Sequence, residues 1–204
     1  DNVRESVGEH TLPIPPSTAA SPFAIGVDFA RHEDYTAIVV LDGDGRLVAF
    51  DRLRRVSWNR IESRVTDLAE KYDRSTVAVD ATRDNKIVSD LENSRLDVEP
   101  VNFSSKKTEL IDNLALSLES GELTLSSDAP ELINELEVFE YDMTDSGRVR
   151  YAAPSGFHDD TVDALALAVE AKTNVSTGEI GAASLDLGTI DTLEERGRSG
   201  RGRR

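Results

Sequence analysis

Phe23-Ala-Ile-Gly-Val-Asp-Phe29, Tyr35-Thr-Ala-Ile-Val-Val-Leu41 and Arg46-Leu-Val-Ala-Phe50 decide the fold of this 204-residue chain. Each is a short apolar run, the second rich in β-branched residues, and each reads as a buried strand. Asp42-Gly-Asp-Gly45 is a turn between the second and third runs, so the three form an antiparallel meander. Working outward, Ser57 is placed to cap a helix to about Tyr72, with Ile61, Val65, Leu68 and Ala69 on one face. Thr76 to Asp80 is a fourth strand, residues 84–93 a short helix, and Val98 to Phe103 a fifth strand. A long helix starts at Ser104 or Ser105 and ends at Gly121. Pro130 opens a helix to about Tyr141, Arg148 to Ala152 reads as a strand, and residues 159–172 as a final helix. Strand–helix–strand units require parallel pairing, whereas the meander is antiparallel. The expected fold class is therefore α/β, a mixed five-stranded sheet (antiparallel three-strand meander plus parallel strands) flanked by helices.

The formal net charge is −16, and only five of the 23 basic residues are Lys. Acidic residues are spread along the whole chain. High Asp and Glu with few Lys reads as adaptation to a salty cytoplasm, where molar salt shortens the Debye length to about 3 Å. There is no Cys, which excludes disulfides and thiolate metal sites. No apolar run reaches the roughly 18 residues of a membrane span. Residues 1–22, with Pro13, Pro15, Pro16 and Pro22, read as an extended linker. Residues 23–172 form the domain, and residues 173–204 read as a flexible tail. Its end, Arg196 to Arg204, holds five Arg and no acid, so an acidic body carries a basic terminus.

Asp28 lies inside the first apolar strand, Asp80 at the end of the fourth, and Asp159, Asp160 and Asp163 open the last helix. A carboxylate in an apolar strand is costly unless it is paired or binds a metal. With the first and fourth strands as neighbours, Asp28 and Asp80 converge at one sheet edge, and the helix delivers its first-turn carboxylates there. Hard oxygen ligands from separate elements suit Mg²⁺ or Mn²⁺ rather than Zn²⁺. Two such ions, about 3.5–4 Å apart, activate a water and stabilise the leaving oxygen of a phosphodiester. Singly, each residue has an ordinary reading: Asp28 in a turn, Asp80 capping a loop, Asp159 and Asp160 favoured by a helix dipole. The joint order is far more specific than its parts.

Three segments carry a resemblance. Gly26-Val-Asp-Phe-Ala30 with Asp34-Tyr-Thr-Ala-Ile-Val-Val40 is similar to the first nuclease motif of viral terminase large subunits, and Val79-Asp80-Ala81-Thr82 to the second. Gly156-Phe-His-Asp-Asp160-Thr-Val-Asp-Ala-Leu-Ala-Leu-Ala168 resembles the last. Lys106-Lys107-Thr108-Glu-Leu-Ile, Gly121-Glu-Leu-Thr-Leu and Glu135-Leu-Glu-Val-Phe139 follow the connecting region. The resemblance spans roughly Phe23 to Ala171 and implies a ribonuclease H-like, C-terminal nuclease domain. Such a domain is a two-metal-ion endonuclease that cleaves double-stranded DNA concatemers during viral genome packaging in the host cell cytoplasm. It implies Asp28, Asp80 and Asp160 as catalytic metal ligands for two Mg²⁺ or Mn²⁺ ions. Asp159 would be a further ligand or a group that positions water. Asp163 would be an outer partner of the ligands, and His158 would orient a carboxylate or contact a phosphate. Lys106, Lys107, Arg31 and Arg83 are candidate DNA contacts; for the two lysines a solvated helix start is the more ordinary reading.

The resemblance further implies an ATPase domain on the same polypeptide, a portal and a small terminase subunit as partners. No Gly-x-x-x-x-Gly-Lys-Ser/Thr loop occurs in this chain, so the ATPase is not within it, and residues 1–22 are expected to be the remnant of the joint. The acidic composition points to a haloarchaeal virus. Three other readings share parts of the pattern: a Holliday-junction resolvase-like nuclease, an actin-like kinase fragment, and a non-catalytic docking domain. The kinase fold needs a second Gly-rich phosphate loop, and a docking domain would have no use for the carboxylates.

Overall fold

The computed structural model describes residues 2–29, 35–73, 75–82, 85–143, 149–152 and 158–187. In chain order the elements are α1 (Asn2–Glu5), β1 (Val7–Gly8), β2 (Phe23–Asp28), β3 (Tyr35–Leu41), β4 (Leu47–Arg54), α2 (Trp58–Lys71), β5 (Ser75–Asp80) and α3 (Asn85–Asn93). They continue with β6 (Asp97–Val101), α4 (Phe103–Glu119), β7 (Leu125–Ser126), α5 (Pro130–Val138), β8 (Glu140–Met143), β9 (Val149–Ala152) and α6 (Asp160–Leu187). The chain divides into one unit of residues 1–172 and a second of residues 173–204. Among the described residues no helix is long and apolar enough to cross a membrane.

The central sheet has five strands in the order β4-β3-β2-β5-β6. β2–β3 and β3–β4 are antiparallel, while β2–β5 and β5–β6 are parallel. This is the ribonuclease H-like arrangement expected from the meander and the two crossovers. Side chains alternate between the faces of the sheet. Ala24, Ala37, Val39, Leu41 and Ala78 pack with α4, α5 and α6. Ile25, Val27, Ile38, Val40, Val77 and Val79 pack with α2 and α3.

Small residues set the position of α6. A Cβ added to Gly26 would lie 2.0 Å from the carbonyl oxygen of Ala164 and 2.4 Å from the amide nitrogen of Ala168. Only a glycine lets the helix backbone rest on the strand here. Asp160, Ala164 and Ala168 recur at intervals of four and share one stripe of the helix. The contact that seats Ala164 and Ala168 over Gly26 therefore brings Asp160 toward Asp28, two residues along β2 on the same face.

Four boundaries differ from the sequence expectation. Residues 2–22 are not a loosely packed linker. β1 pairs with β7, Ile14 donates its amide to the Val48 carbonyl at 2.8 Å, and the buried Tyr72 hydroxyl donates to the Ile14 carbonyl at 2.8 Å. These bonds join residues far apart in sequence, and Ile14 is 7% exposed. α4 begins at Phe103, because Asn102 accepts from the Ser105 amide and caps it. α5 stops at Val138, and residues expected to continue it form β8, antiparallel to β9. α6 runs on to Leu187 rather than ending near residue 172. Residues 188–204, including the Arg-rich end, lie outside the described residues.

Candidate metal centre

β2 and β5 are parallel neighbours whose last paired residues are Val27 and Val79. One step further, Asp28 and Asp80 end the two strands on the face that carries α6. From that helix come Asp160 and Asp163 in the first turn, with Asp159 just before it. The Asp28 carboxyl is pushed well above the ordinary carboxylate range. The first cause is loss of water; next come the charges of Asp163, Asp160, Asp80 and Asp159, all acting on the same group. Asp163 is pushed up to about 7, first by burial; Lys107 opposes this, and Asp159 and Asp160 add to it.

Among the described residues, Lys107 brings a cation to these groups. Lys107 Nζ, from the first turns of α4, lies 3.0 Å from Asp159 Oδ2 and 3.0 Å from Asp163 Oδ2. Burial alone would lower its pKa, but the charges of Asp163 and Asp159 outweigh that and raise it. Asp80 Oδ1 accepts from the Thr82 amide at 2.8 Å, from the Thr82 hydroxyl, and from the Phe103 amide at 3.3 Å. Phe103 opens α4, so Asp80 fastens a helix start to the end of β5. His158 Nδ1 lies 3.6 Å from Asp160 Oδ2. Among the described residues nothing donates a hydrogen bond to the buried Asp163 Oδ1. Among the described residues, no three carboxylate or imidazole side chains are already drawn in around one point closely enough to hold a metal ion.

A family model described as the terminase RNase H-like domain matches residues 25–172. The chain belongs to this family. The terminase large subunits of Thermus virus P23-45 and Thermus phage G20c are each 34% identical to it over 154 residues. The match covers 72% of this chain and 31% of each relative, so the chain spans about a third of their length. The crystal structure of the large terminase nuclease from thermophilic phage G20c matches with a TM-score of 0.67 at 32% identity. It covers 74% of this chain and 84% of that one. That nuclease has also been solved with bound magnesium, cobalt and zinc. The family sets aside the actin-like kinase reading.

This terminase domain brings together five of the residues singled out from sequence: Asp28, Asp80, Asp159, Asp160 and Asp163. Lys107 joins them, but Lys106 does not; its ammonium lies 3.2 Å from Glu170 Oε1, further along α6. Arg31 and Arg83 lie outside the described residues. One buried group was not anticipated. Glu135 of α5, 7% exposed, accepts from the Thr161 amide at 3.0 Å and from the Thr161 hydroxyl. Its other oxygen pairs with Arg52 Nη2 of β4 at 2.7 Å. Glu135 thus satisfies an orphan amide in the first turn of α6 and ties that turn to the sheet edge. Arg52 in turn covers the Tyr35 ring at 3.7 Å, and Tyr35 meets the His158 ring edge-on at 5.2 Å. The available signal was a carboxylate between Leu132 and Leu136 on the apolar face of a helix.

Proposed function

We propose that this domain is the nuclease of a terminase large subunit, a metal-dependent endonuclease that cuts double-stranded DNA concatemers during viral genome packaging. The observation that carries the reading is the meeting of carboxylates from β2, β5 and α6 at one end of the sheet. Asp28, Asp80 and Asp160 would hold the metal, with Asp159 as a further ligand or a water-positioning group. The donor set is all hard oxygen, and the crowded, partly desolvated carboxylates together with the orphaned Asp163 Oδ1 call for more positive charge than Lys107 supplies. Mg²⁺ or Mn²⁺ fits; two ions per site is the arrangement we favour. When bound, they supply a nucleophile at neutral pH and charge stabilisation for the leaving oxygen.

The protein's own groups do the positioning. Asp80, held by Thr82 and Phe103, and Asp160, on the turn fastened by Glu135, are carried on rigid elements. Loading would draw these neighbouring carboxylates closer together, since among the described residues no three are yet close enough around one point to hold an ion. Lys107 holds Asp159 and Asp163 in register and places positive charge where a phosphate would enter. His158, half-exposed beside Asp160, orients that carboxylate or contacts a phosphate. The relatives' extra length is consistent with an ATPase domain on the same polypeptide; a portal and a small terminase subunit would be the further partners, in the host cytoplasm during assembly. A nuclease with so acidic a body would bind DNA weakly alone, leaving the rest of the motor to hold the substrate.

Plasmid cleavage tests the reading. Supercoiled DNA should be nicked and linearised with Mg²⁺ or Mn²⁺, and EDTA should abolish this. Zn²⁺ should be included, because the phage G20c nuclease has been solved with it and binding alone does not identify the working ion. No cleavage with any of these ions, by protein shown by calorimetry to bind them, would leave a docking domain as the better account.

A further inference from the structure

The residue after Asp28 points to a second site. Phe29 packs with the α2–α3 half of the core, where a cavity of about 340 Å³ opens. Its lining includes Phe29, Val56, Trp58, Ile87, Lys86 and Asp90. Phe29 and Trp58 meet edge to face with ring centroids 5.2 Å apart, and both remain partly exposed. Asp90 accepts from Trp58 Nε1 at 2.9 Å and also pairs with Lys86, so one carboxylate fixes the indole and is itself neutralised. The Lys86 side chain is 74% exposed.

The sequence beside this hollow is locally basic. In a protein of net charge −16, residues 55–60 hold two Arg and no acid; Arg52 and Arg54 lie over the Tyr35 ring, on the face of the carboxylates. Arg55 and Arg60, both exposed, flank this stretch's contribution to the cavity wall. A hollow of this size suits a small planar ligand. Aromatic side chains within a basic surface are the recurring means of holding single-stranded nucleic acid, the ring taking the base and the cations the backbone.

We propose that this hollow receives an unpaired DNA base, with Phe29 and Trp58 against the base and Lys86, Arg55 and Arg60 toward its phosphates. The inference rests on the nuclease reading for its choice of DNA.

Trp58 is the single Trp of the chain, so its emission reports on this hollow alone. The experiment uses the whole chain carrying Asp28→Asn, in EDTA and low salt, titrated with a short single-stranded oligodeoxynucleotide. Binding is followed in parallel by anisotropy of a labelled strand. Saturable quenching of Trp58 is expected. An abasic strand of equal length and charge should bind roughly 10-fold or more weaker and leave the emission unchanged. Lys86→Glu should weaken binding and reduce the salt slope of log K by about 0.7. Binding without any change in Trp58 emission, equal quenching by the abasic strand, or no binding at low salt would overturn the proposal. Cleavage is measured separately, on the wild type with added metal. Quenching without cleavage by the wild type would remove the nuclease reading and keep the base site; cleavage without quenching would do the reverse.

Discussion

Asp28 and Phe29 are consecutive, yet they serve opposite faces of one sheet. The face of Asp28 is built from small residues, Ala24, Gly26 and Ala78, and admits the backbone of α6 to within contact of β2. The face of Phe29 is built from Ile25, Val27, Val77 and Val79, whose bulk meets the side chains of α2 and α3. The first face ends in carboxylates, Asp28 and Asp80; the second ends in apolar groups, Phe29 and Ala81. The difference is one of distance and dielectric. Close backbone packing carries the first turn of α6 into the space beyond the strands, so charges of one sign crowd there. Side-chain packing on the other face leaves a hollow and no charge conflict.

The largest expected effect is at the crowded end. Asp28→Asn should reduce metal-dependent cleavage by about 10⁴-fold, the scale seen when one member of a catalytic unit is lost. The same change should raise the metal-free melting temperature at neutral pH, because an Asn needs neither a desolvated charge nor a bound proton among the neighbouring carboxylates. Each kcal/mol gained corresponds to roughly 2–4 °C in a domain of this size. Cleavage near the wild-type rate would end the ligand role; a lowered melting temperature would show that the crowding is not unfavourable as described.

The pH dependence of stability should also separate the two faces. Burial pushes the Asp163 carboxyl up to about 7 from an ordinary value of 3.8, and Asp28 is raised too. Between those values the folded state holds protons that the unfolded state has released. Stability from these groups is therefore fully present below about pH 4, declines as pH rises, and levels off above the folded values. At ~1.4 kcal/mol per unit the loss amounts to a few kcal/mol. Urea midpoints of metal-free protein should fall from pH 5 to pH 8, and the fall should shrink with Mn²⁺, which favours the ionised form. A midpoint that holds steady or climbs over that range would contradict the burial of these carboxylates.

These contrasts explain what could be read from sequence. A carboxylate inside an apolar strand announces itself, so Asp28 and Asp80 were legible, and the Asp-Asp start of α6 with them. The meander and crossovers fixed the strand order for the same local reasons. The N-terminal 22 residues were not legible, because Val3, Val7, Leu12 and Ile14 follow no period and their partners, such as Val48 and Tyr72, are far along the chain. Lys106 and Lys107 are neighbours on α4, about 100° apart around the helix, and only the packing decides which one meets Asp159. Glu135 carried the same signal as Asp28, a carboxylate on an apolar face, but its partners Thr161 and Arg52 come from two other elements. Gly26 reads as an ordinary strand glycine until α6 is known to lie on it.

Gly26→Ala should therefore cost stability out of proportion to one methyl group. The added Cβ meets backbone atoms of Ala164 and Ala168, which cannot rotate away, so β2 and α6 must separate. Overpacking of this kind costs about 1–3 kcal/mol. It should also weaken Mn²⁺ binding measured by calorimetry, since the helix that moves carries Asp160 and Asp163. Full stability with unchanged metal affinity would show that the close approach is not what positions the helix.

The smallest effect belongs to the other face and serves as the control for that experiment. Ile25 is the neighbour of Gly26 in β2, fully buried, and packs toward α2 rather than α6. Ile25→Val removes one methyl from a side-chain interface that can partly close around the gap, at a cost of about 0.5–1.5 kcal/mol. α6 and its carboxylates sit across the sheet, so nothing in their placement depends on this methyl. Denaturant midpoints should therefore fall modestly while Mn²⁺ affinity stays within error of the wild type. The pair of substitutions distinguishes a position effect from a stability effect. Equal losses of metal affinity in Ile25→Val and Gly26→Ala, matched to their losses of stability, would mean that the centre follows general rigidity, and the division of labour between the two faces would fail.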